Sequence, residues 1–119
     1  MTDQGLRKLG LTDNLVEGVE RQGLKVSLFD KVTEDPPETC IQDLVKFAKQ
    51  RDVDGVVGVG GGSSMDAAKL AAFMCGDTRQ QLTEVYGVGL TQGRRLPLIQ
   101  VFANMYFLFQ KNHMIIFNF

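Results

Sequence analysis

The feature that most constrains the fold is a glycine-rich turn between two runs of different periodicity. The apolar run Val56–Val59 precedes the turn, and an alanine-rich run ending at Met74 follows it. The first run predicts a short buried strand, and the second predicts a helix whose small face can lie close to a sheet. Between them, Gly60, Gly61 and Gly62 carry no Cβ atom, so a bulky anion can reach the backbone.

The start of this helix is predicted to bind an anion. Ser63 or Ser64 is expected to cap the helix through its hydroxyl group. The free N–H groups of the first turn and the positive end of the helix dipole then face the space above the glycines. Such an arrangement suits a phosphate or pyrophosphate. The same residues have an alternative reading, in which the glycines only pack the helix tightly against the sheet.

Two common nucleotide-binding motifs fail to describe the turn. No Gly-Lys-Ser/Thr sequence closes it as a P-loop. The Rossmann fingerprint fits Gly58 and Gly60, but Ser63 stands where the third glycine belongs. The acidic residue at the expected distance, Asp77, follows a predicted helix instead of a second strand.

Predicted strands and helices alternate along the chain, which indicates an α/β fold with a parallel sheet and flanking helices. The predicted strands cover residues 25–29, 55–59 and 96–101. The predicted helices cover residues 13–22, 36–51 and 64–74, and a short fourth helix is predicted from its cap at Asp77 through residue 86. Thr12 and Asp35 are expected to cap the first two helices, with Pro36 at the first helical position of the second.

Three segments together resemble the iron-containing (group III) alcohol dehydrogenases. Residues 60–69, GGGSSMDAAK, resemble the family's GGGSxxDxAK signature. Residues 2–10, TDQGLRKLG, are similar to its TDxGLxKxG segment, and residues 96–101, LPLIQV, to the strand before its PTTAGTGSE turn. The resemblance covers residues 1–101 and implies a partial Rossmann-like, dinucleotide-binding domain of the dehydroquinate synthase-like superfamily.

The resemblance also implies roles for particular residues. Gly61, Gly62 and Ser63 would hold the pyrophosphate of NAD or NADP. Asp3 would bind the adenosine ribose hydroxyls, which favours NAD because a carboxylate there repels a 2′-phosphate. Asp66 would lie near the nicotinamide ribose. The alternatives without a role in cofactor binding are that Asp3 only caps a short helix and that Asp66 is an acidic residue of the first helical turn, paired with a lysine three residues further on.

The family has a second, helical domain that carries its iron or other divalent metal, and the resemblance implies that this domain is absent here. The strand that leads into Thr2 in the family is likewise expected to be missing. The single histidine, His113, matches no ligand motif. We therefore expect the 119-residue chain to be catalytically inactive by itself.

Residues 102–119 differ in composition from the rest of the chain. They contain six aromatic residues, no glycine or proline, and Lys111 as their single charged residue. Our hypothesis is that this apolar tail is foreign to the family, as a shifted reading frame would produce. The alternative is a genuine apolar strand or helix that docks on the sheet.

Charge and cysteine content restrict the partners and the compartment. The net charge is −1, which gives no indication of binding to nucleic acid or an anionic membrane. No run approaches the ~20 apolar residues that span a bilayer. Cys40 and Cys75 lack metal-ligand spacing and are predicted to be buried free thiols, which together with the absence of a signal segment predicts a cytoplasmic protein.

The resemblance implies an NAD(P)-dependent oxidoreductase that transfers a hydride between an alcohol or carbonyl substrate and the cofactor. One alternative is a non-catalytic nucleotide- or phosphate-binding α/β module, which would share the glycine turn. Another is a poorly folding polypeptide that binds nothing, which a thermal melt without a cooperative transition would reveal. A homo-oligomer is compatible with the family, and the sequence leaves the oligomeric state open.

Overall fold

The computed structural model describes residues 1–86, 91–103 and 115–118. Four α-helices, one short 3-10 turn and three strands occur in these ranges. In chain order they are α1 (Gln4–Lys8), α2 (Leu11–Arg21), α3 (Glu38–Lys49), β1 (Val56–Gly60), α4 (Gly62–Met74), the 3-10 turn (Leu82–Glu84), β2 (Leu98–Phe102) and β3 (Ile115–Asn118). No helix in the described part of the chain is both long and apolar enough to cross a bilayer.

The sheet has the strand order β1-β2-β3. Strands β1 and β2 are parallel, with Val56 opposite Leu98, and helix α4 connects them. This strand-helix-strand unit confirms the predicted α/β class. Strand β3 pairs antiparallel with β2, with Val101 opposite Ile116.

Strand β3 bears on the prediction for residues 102–119. Its residues 115–118 form the docked strand that the alternative interpretation of the tail expects. Residues 104–114 and 119, with His113 and Lys111 among them, lie outside the described residues. The hypothesis of a foreign tail stays a prediction.

Helix α4 supplies the closest packing against the sheet because its buried face consists largely of alanines. A Cβ atom on Gly58 of β1 would lie 2.6 Å from the Cβ atom of Ala68, so the absence of a side chain at Gly58 lets the helix approach. Ala68 and Ala72 pack with Leu98 beneath the helix. This contact confirms the predicted small helical face.

The largest apolar cluster lies between α3 and α4. Phe29 meets Phe47 edge to face, with ring centroids 5.4 Å apart. The buried members of this cluster are Phe29, Val32, Ile41, Leu44, Ala67, Ala71, Phe73, Met74, Leu82 and Val85. Cys40 and Cys75 are free thiols, as predicted, but they are half-buried instead of buried.

Several predicted element boundaries are wrong. Residues 25–29 form no regular strand: Phe29 O accepts a hydrogen bond from Thr2 N, and the neighbouring parallel bridge joins Asp3 to Val32. Helix α2 begins one residue before Thr12, after Gly10 in the left-handed region at φ 72°.

The start of α3 was also predicted too early. Asp35 does not cap it, because Pro36 precedes another proline and the α conformation is disfavoured at such a position. Pro37 is the N-cap residue and the helix begins at Glu38. The bend before it places Asp35 at φ 44°.

The predicted helix over 77–86 is reduced to the 3-10 turn because Asp77 is engaged elsewhere. Asp77 N donates to Arg94 O at 2.8 Å, and Arg94 N donates to Asp77 O at 3.1 Å. Gly76 and Gly93 flank this antiparallel bridge, and a Cβ atom on either would overlap the backbone of the other segment. Two glycines therefore allow the two backbones to meet.

Candidate functional site

The turn between β1 and α4 depends on the special backbone of Gly60. Its φ of 148° lies in a region that side chains with a Cβ atom rarely adopt. The space that a Cβ atom would need is taken by Ser64, whose Oγ and Cβ would lie 2.6 and 2.7 Å away. Ser64 is 2% exposed, so this serine fills the inside of the turn.

The outer side of the turn contacts no other segment of the described chain. Among the residues that the structure describes, a Cβ atom on Gly61 or Gly62 would have no atom of another segment within 4 Å. Gly61 is the N-cap residue of α4 and no side chain caps the helix, so neither Ser63 nor Ser64 performs the predicted capping role. Both serines lie inside the first turn, because the helix begins at Gly62. The N–H groups of a first helical turn that no side chain caps are available to an anion.

Asp3, to which the family resemblance assigns the adenosine ribose, lies beside this turn. Its Oδ1 atom accepts a hydrogen bond from Leu6 N at 3.0 Å, so Asp3 is the N-cap residue of α1. Its Oδ2 atom lies 3.2 Å from the position that a Cβ atom on Gly60 would occupy. One carboxylate oxygen therefore caps a helix while the other lies against the turn.

Asp66 lies on the exposed surface of α4, one turn from the glycines. Its Oδ1 atom forms an ion pair with Lys69 Nζ at 3.2 Å, three residues along the helix. Both side chains are more than half exposed, so the pair adds little to the stability of the fold. The structure thus contains the surface pair that the alternative interpretation of Asp66 expects.

One polar contact near the turn escaped the sequence prediction. Gln100, on β2, is 2% exposed and its Nε2 atom donates a hydrogen bond to Met65 O at 2.7 Å. It lies opposite Gly58 in the parallel register. The one polar residue in an otherwise apolar strand was the available signal, because a buried amide needs a partner.

A cavity lies away from the glycine turn. Its volume is about 480 Å³, and its lining comes from α2, residues 23–28, residues 51–57 and, on the β2 side, Pro97 and Ile99. Most of its lining is apolar, and neither Gly61 nor Gly62 contributes to it. The cavity and the candidate anion site are therefore separate features.

Within the described ranges, three groups have a pKa that departs from its ordinary value. Burial lowers the pKa of the Met1 amine from 8.0 to about 6. Burial also raises the pKa of the Cys75 thiol, an effect that the charge of Lys49 opposes. The pKa of Tyr86 is raised, first by burial and then by the charge of Glu38. None of these groups belongs to the glycine turn.

The described residues do not fit an iron site. Within residues 1–86, 91–103 and 115–118, no three His, Cys, Asp or Glu side chains cluster in a way that could hold a metal ion. No chemical step is therefore assigned to a metal on these residues.

The family is decided by comparison with known proteins. The family model described as iron-containing alcohol dehydrogenase matches residues 1–103. The chain belongs to the iron-containing alcohol dehydrogenase family. This membership confirms the resemblance that the glycine segment and its two companion segments indicated.

Curated proteins similar to this member of the iron-containing alcohol dehydrogenase family are alcohol-oxidising enzymes by name. A choline dehydrogenase of Bacillus subtilis is 41% identical over 69 residues, which make up 58% of this chain and 17% of that protein. An NAD-dependent methanol dehydrogenase of Bacillus methanolicus is 29% identical over 101 residues, or 85% of this chain and 26% of that protein. The chain thus spans about a quarter or less of the length of these curated relatives.

Solved structures confirm the fold. The crystal structure of a 1,3-propanediol oxidoreductase superposes with a TM-score of 0.77 at 29% identity. The match covers 85% of this chain and 26% of that one. The chain therefore shares its α/β fold with iron-containing alcohol dehydrogenases, whose fold is dehydroquinate synthase-like.

Proposed function

We propose that this chain is the nucleotide-binding part of an oxidoreductase that moves a hydride between an alcohol and NAD. The observation that carries the proposal is the uncapped first turn of α4, open at Gly61 and Gly62, with the Asp3 carboxylate beside it. Residues 1–101 form the dinucleotide-binding unit in this proposal. The name of the Bacillus methanolicus relative supports NAD as the cofactor.

Each residue of the turn has a distinct task. The backbone N–H groups of Gly62 and Ser63, with the Ser63 hydroxyl, bind the pyrophosphate, because the helix dipole and the lack of nearby atoms favour a negative charge there. Gly61 lets the phosphates come close to the backbone. The free Oδ2 atom of Asp3 accepts hydrogen bonds from the adenosine ribose, and its charge selects NAD over NADP.

Asp66 completes the cofactor site in this proposal. It lies one turn further along α4, where its carboxylate can exchange Lys69 for a hydroxyl of the nicotinamide ribose. Because both side chains are exposed, breaking the ion pair costs little free energy: a surface ion pair contributes between 0 and about 1 kcal/mol to stability.

The remaining parts of the proposal concern the whole protein. Bound NAD supplies the hydride acceptor, and a small alcohol is the substrate class that the names of the relatives support. A divalent metal, iron in this family, would be held by residues outside those described here. We place the protein in the cytoplasm, which agrees with its two free thiols. We also propose that it forms a homo-oligomer.

Titration with NAD tests the cofactor site, using two variants of one position. Gly62→Asp adds a carboxylate to the first turn of α4, where it favours the helix dipole but repels a pyrophosphate. Gly62→Asn has nearly the same shape without the charge. We expect calorimetry to show saturable NAD binding by the wild type, at least tenfold weaker binding by Gly62→Asp and a smaller loss for Gly62→Asn. Absent wild-type binding, or equal binding by both variants, would refute the proposal.

A further inference from the structure

The buried amide of Gln100 joins strand β2 to the first turn of α4, directly after the glycine turn. We propose that Gln100 is a positioning residue for the cofactor, whose amide holds this first turn where its free N–H groups meet the pyrophosphate. The inference rests on the proposed function and adds a residue of β2 to those on which NAD binding depends. Three observations support it: the part of the helix that is held, a second contact at the same level of the sheet, and the burial of the amide.

The acceptor of the amide, Met65, closes the first turn of α4. Met65 N donates to the carbonyl of the N-cap residue Gly61 at 3.0 Å. The N–H groups of the three residues between them, 62–64, therefore have no acceptor within the helix. The carbonyl of the same Met65 accepts the hydrogen bond from Gln100 Nε2 at 2.7 Å. Gln100 thus holds the residue that completes the turn proposed to bind the pyrophosphate.

Met65 O can accept this bond without leaving the helical ladder. A carbonyl inside an α-helix accepts from the N–H group four residues further on, and its oxygen has a second lone pair. The amide of Gln100 uses that second lone pair. Loss of the amide should therefore displace the first turn of α4 without unwinding it.

A second contact lies at the same level of the sheet. Gly58 of β1 is opposite Gln100 in the parallel register. A Cβ atom on Gly58 would lie 2.6 Å from Ala68 Cβ, 3.6 Å from Ser64 O and 3.9 Å from Met65 Cα. The close packing on Gly58 determines how near the helix comes to the sheet. Packing has no preferred direction, whereas a hydrogen bond does, so Gln100 determines where the first turn lies along the sheet.

Burial keeps the amide on its acceptor. Gln100 is 2% exposed, so water cannot readily replace Met65 O as the partner of its N–H group. A buried amide without a partner costs free energy, which opposes any movement of the turn. A displacement of about 1 Å would already lengthen the bond beyond the usual range for N–H···O hydrogen bonds. The N–H groups that bind the pyrophosphate require positioning of the same precision.

The test combines NAD titration of two variants with hydrogen exchange in the wild type. Gln100→Met removes the donor and keeps a side chain of similar length. Ile41→Val is the control, because it removes a methyl group from the buried core on α3 and leaves β2 and the first turn of α4 unchanged. Calorimetry measures NAD affinity at a temperature where each protein is folded. NMR measures exchange of the side-chain N–H groups of Gln100, with the Leu44 amide of α3 as the reference for general stabilisation by the ligand.

We expect Gln100→Met to bind NAD about tenfold more weakly than the wild type, because a displaced turn weakens the charge-assisted hydrogen bonds to the pyrophosphate. Ile41→Val should bind within about twofold of the wild type. The coupling between a contact and a ligand is reciprocal. Bound NAD should therefore slow exchange at the Gln100 side chain by a larger factor than at the Leu44 amide.

Three results would overturn this inference and leave the proposed function intact. They are wild-type affinity in Gln100→Met, an equal loss of affinity in Ile41→Val, and exchange at Gln100 that NAD slows no more than exchange at Leu44. The exchange measurement uses only the wild type, so it decides the inference even where Gln100→Met fails to fold. Absent NAD binding by the wild type would overturn the proposed function together with this inference.

Discussion

The side-chain amide of Gln100 donates a hydrogen bond to the backbone carbonyl of Met65 across the interface between β2 and α4. The donor and acceptor lie 2.7 Å apart, and Gln100 is 2% exposed. Met65 belongs to the first turns of α4, immediately beyond the glycine turn. This contact therefore fixes the start of the helix relative to the sheet.

Replacing this amide by a carboxylate should make the stability depend on pH. Gln100→Glu places a buried negative charge next to a carbonyl oxygen. We expect its free energy of unfolding at pH 7 to be roughly 2–4 kcal/mol lower than that of Gln100→Met. Burial raises the pKa of such a glutamic acid, and its protonated form donates a hydrogen bond as the amide does. Denaturant unfolding at pH 7 and pH 4.5 measures the gap between the two variants. A gap that stays the same at both values would contradict a donor role for Gln100.

Gly58→Ala should destabilise the protein, whereas Gly62→Ala should not. The new Cβ atom on Gly58 would lie 2.6 Å from that of Ala68, which costs about 1–3 kcal/mol through displacement of α4. Gly62 lies in the helix with no atom within 4 Å of its Cβ position, so alanine there should stabilise by up to about 1 kcal/mol. Thermal melts of both variants check these opposite signs. Equal effects would show that the Gly58–Ala68 contact does not limit the packing.

Two substitutions of Asp3 distinguish the roles of its two carboxylate oxygens. Asparagine retains an oxygen that can cap α1, so Asp3→Asn should unfold like the wild type, but the loss of charge should weaken NAD binding about tenfold. Asp3→Ala removes the cap as well and should cost about 1 kcal/mol of stability. Thermal unfolding and NAD titration are measured on each variant. If Asp3→Asn binds NAD as tightly as the wild type, the carboxylate acts only as a helix cap.

The Met1 amine should make the 119-residue polypeptide more stable at pH 8 than at pH 6. Its pKa is lowered from 8.0 to about 6 in the folded state, so between these values the unfolded chain binds the proton and the folded chain does not. Stability from the neutral amine is thus present above pH 8 and is lost as the pH falls to 6, by about 3 kcal/mol at most. Chemical denaturation of the free and N-terminally acetylated chains at pH 6 and pH 8 measures this pH dependence of the free energy of unfolding. The acetylated chain should lack this part of the pH dependence, and parallel curves for both chains would refute the assignment.

The glycine turn and its helix could be predicted from sequence because their signals are local. Gly60, Gly61 and Gly62 interrupt one periodicity and begin another, and the alanines that follow leave few ways to pack a helix. The proximity of Asp3 to this turn came from the family resemblance instead. Spacing alone could not show that residues more than fifty positions apart share one edge of the sheet.

The errors arose where a distant partner determines the backbone. Residues 25–29 alternate as a strand should, but a regular strand needs a neighbour along its length. The described pairing beside this segment is limited to Thr2 with Phe29 and Asp3 with Val32. Asp77 has the chemistry of a helix cap, but its backbone pairs with Arg94. Both outcomes depend on contacts between segments, which propensity does not contain.

The pairing of Asp77 with Arg94 has a consequence for how this chain can vary. The two residues close the ends of the intervening segment, and Gly76 and Gly93 let the backbones meet there. The closure lies between the end of α4 and the beginning of β2, so insertions or deletions that keep the buried Leu82 and Val85 in place leave both elements where they are. The entropic cost of a longer loop grows slowly, by about 0.6 kcal/mol for each doubling. This segment is therefore a place where length can change during evolution, provided that both glycines and the buried Leu82 and Val85 are kept.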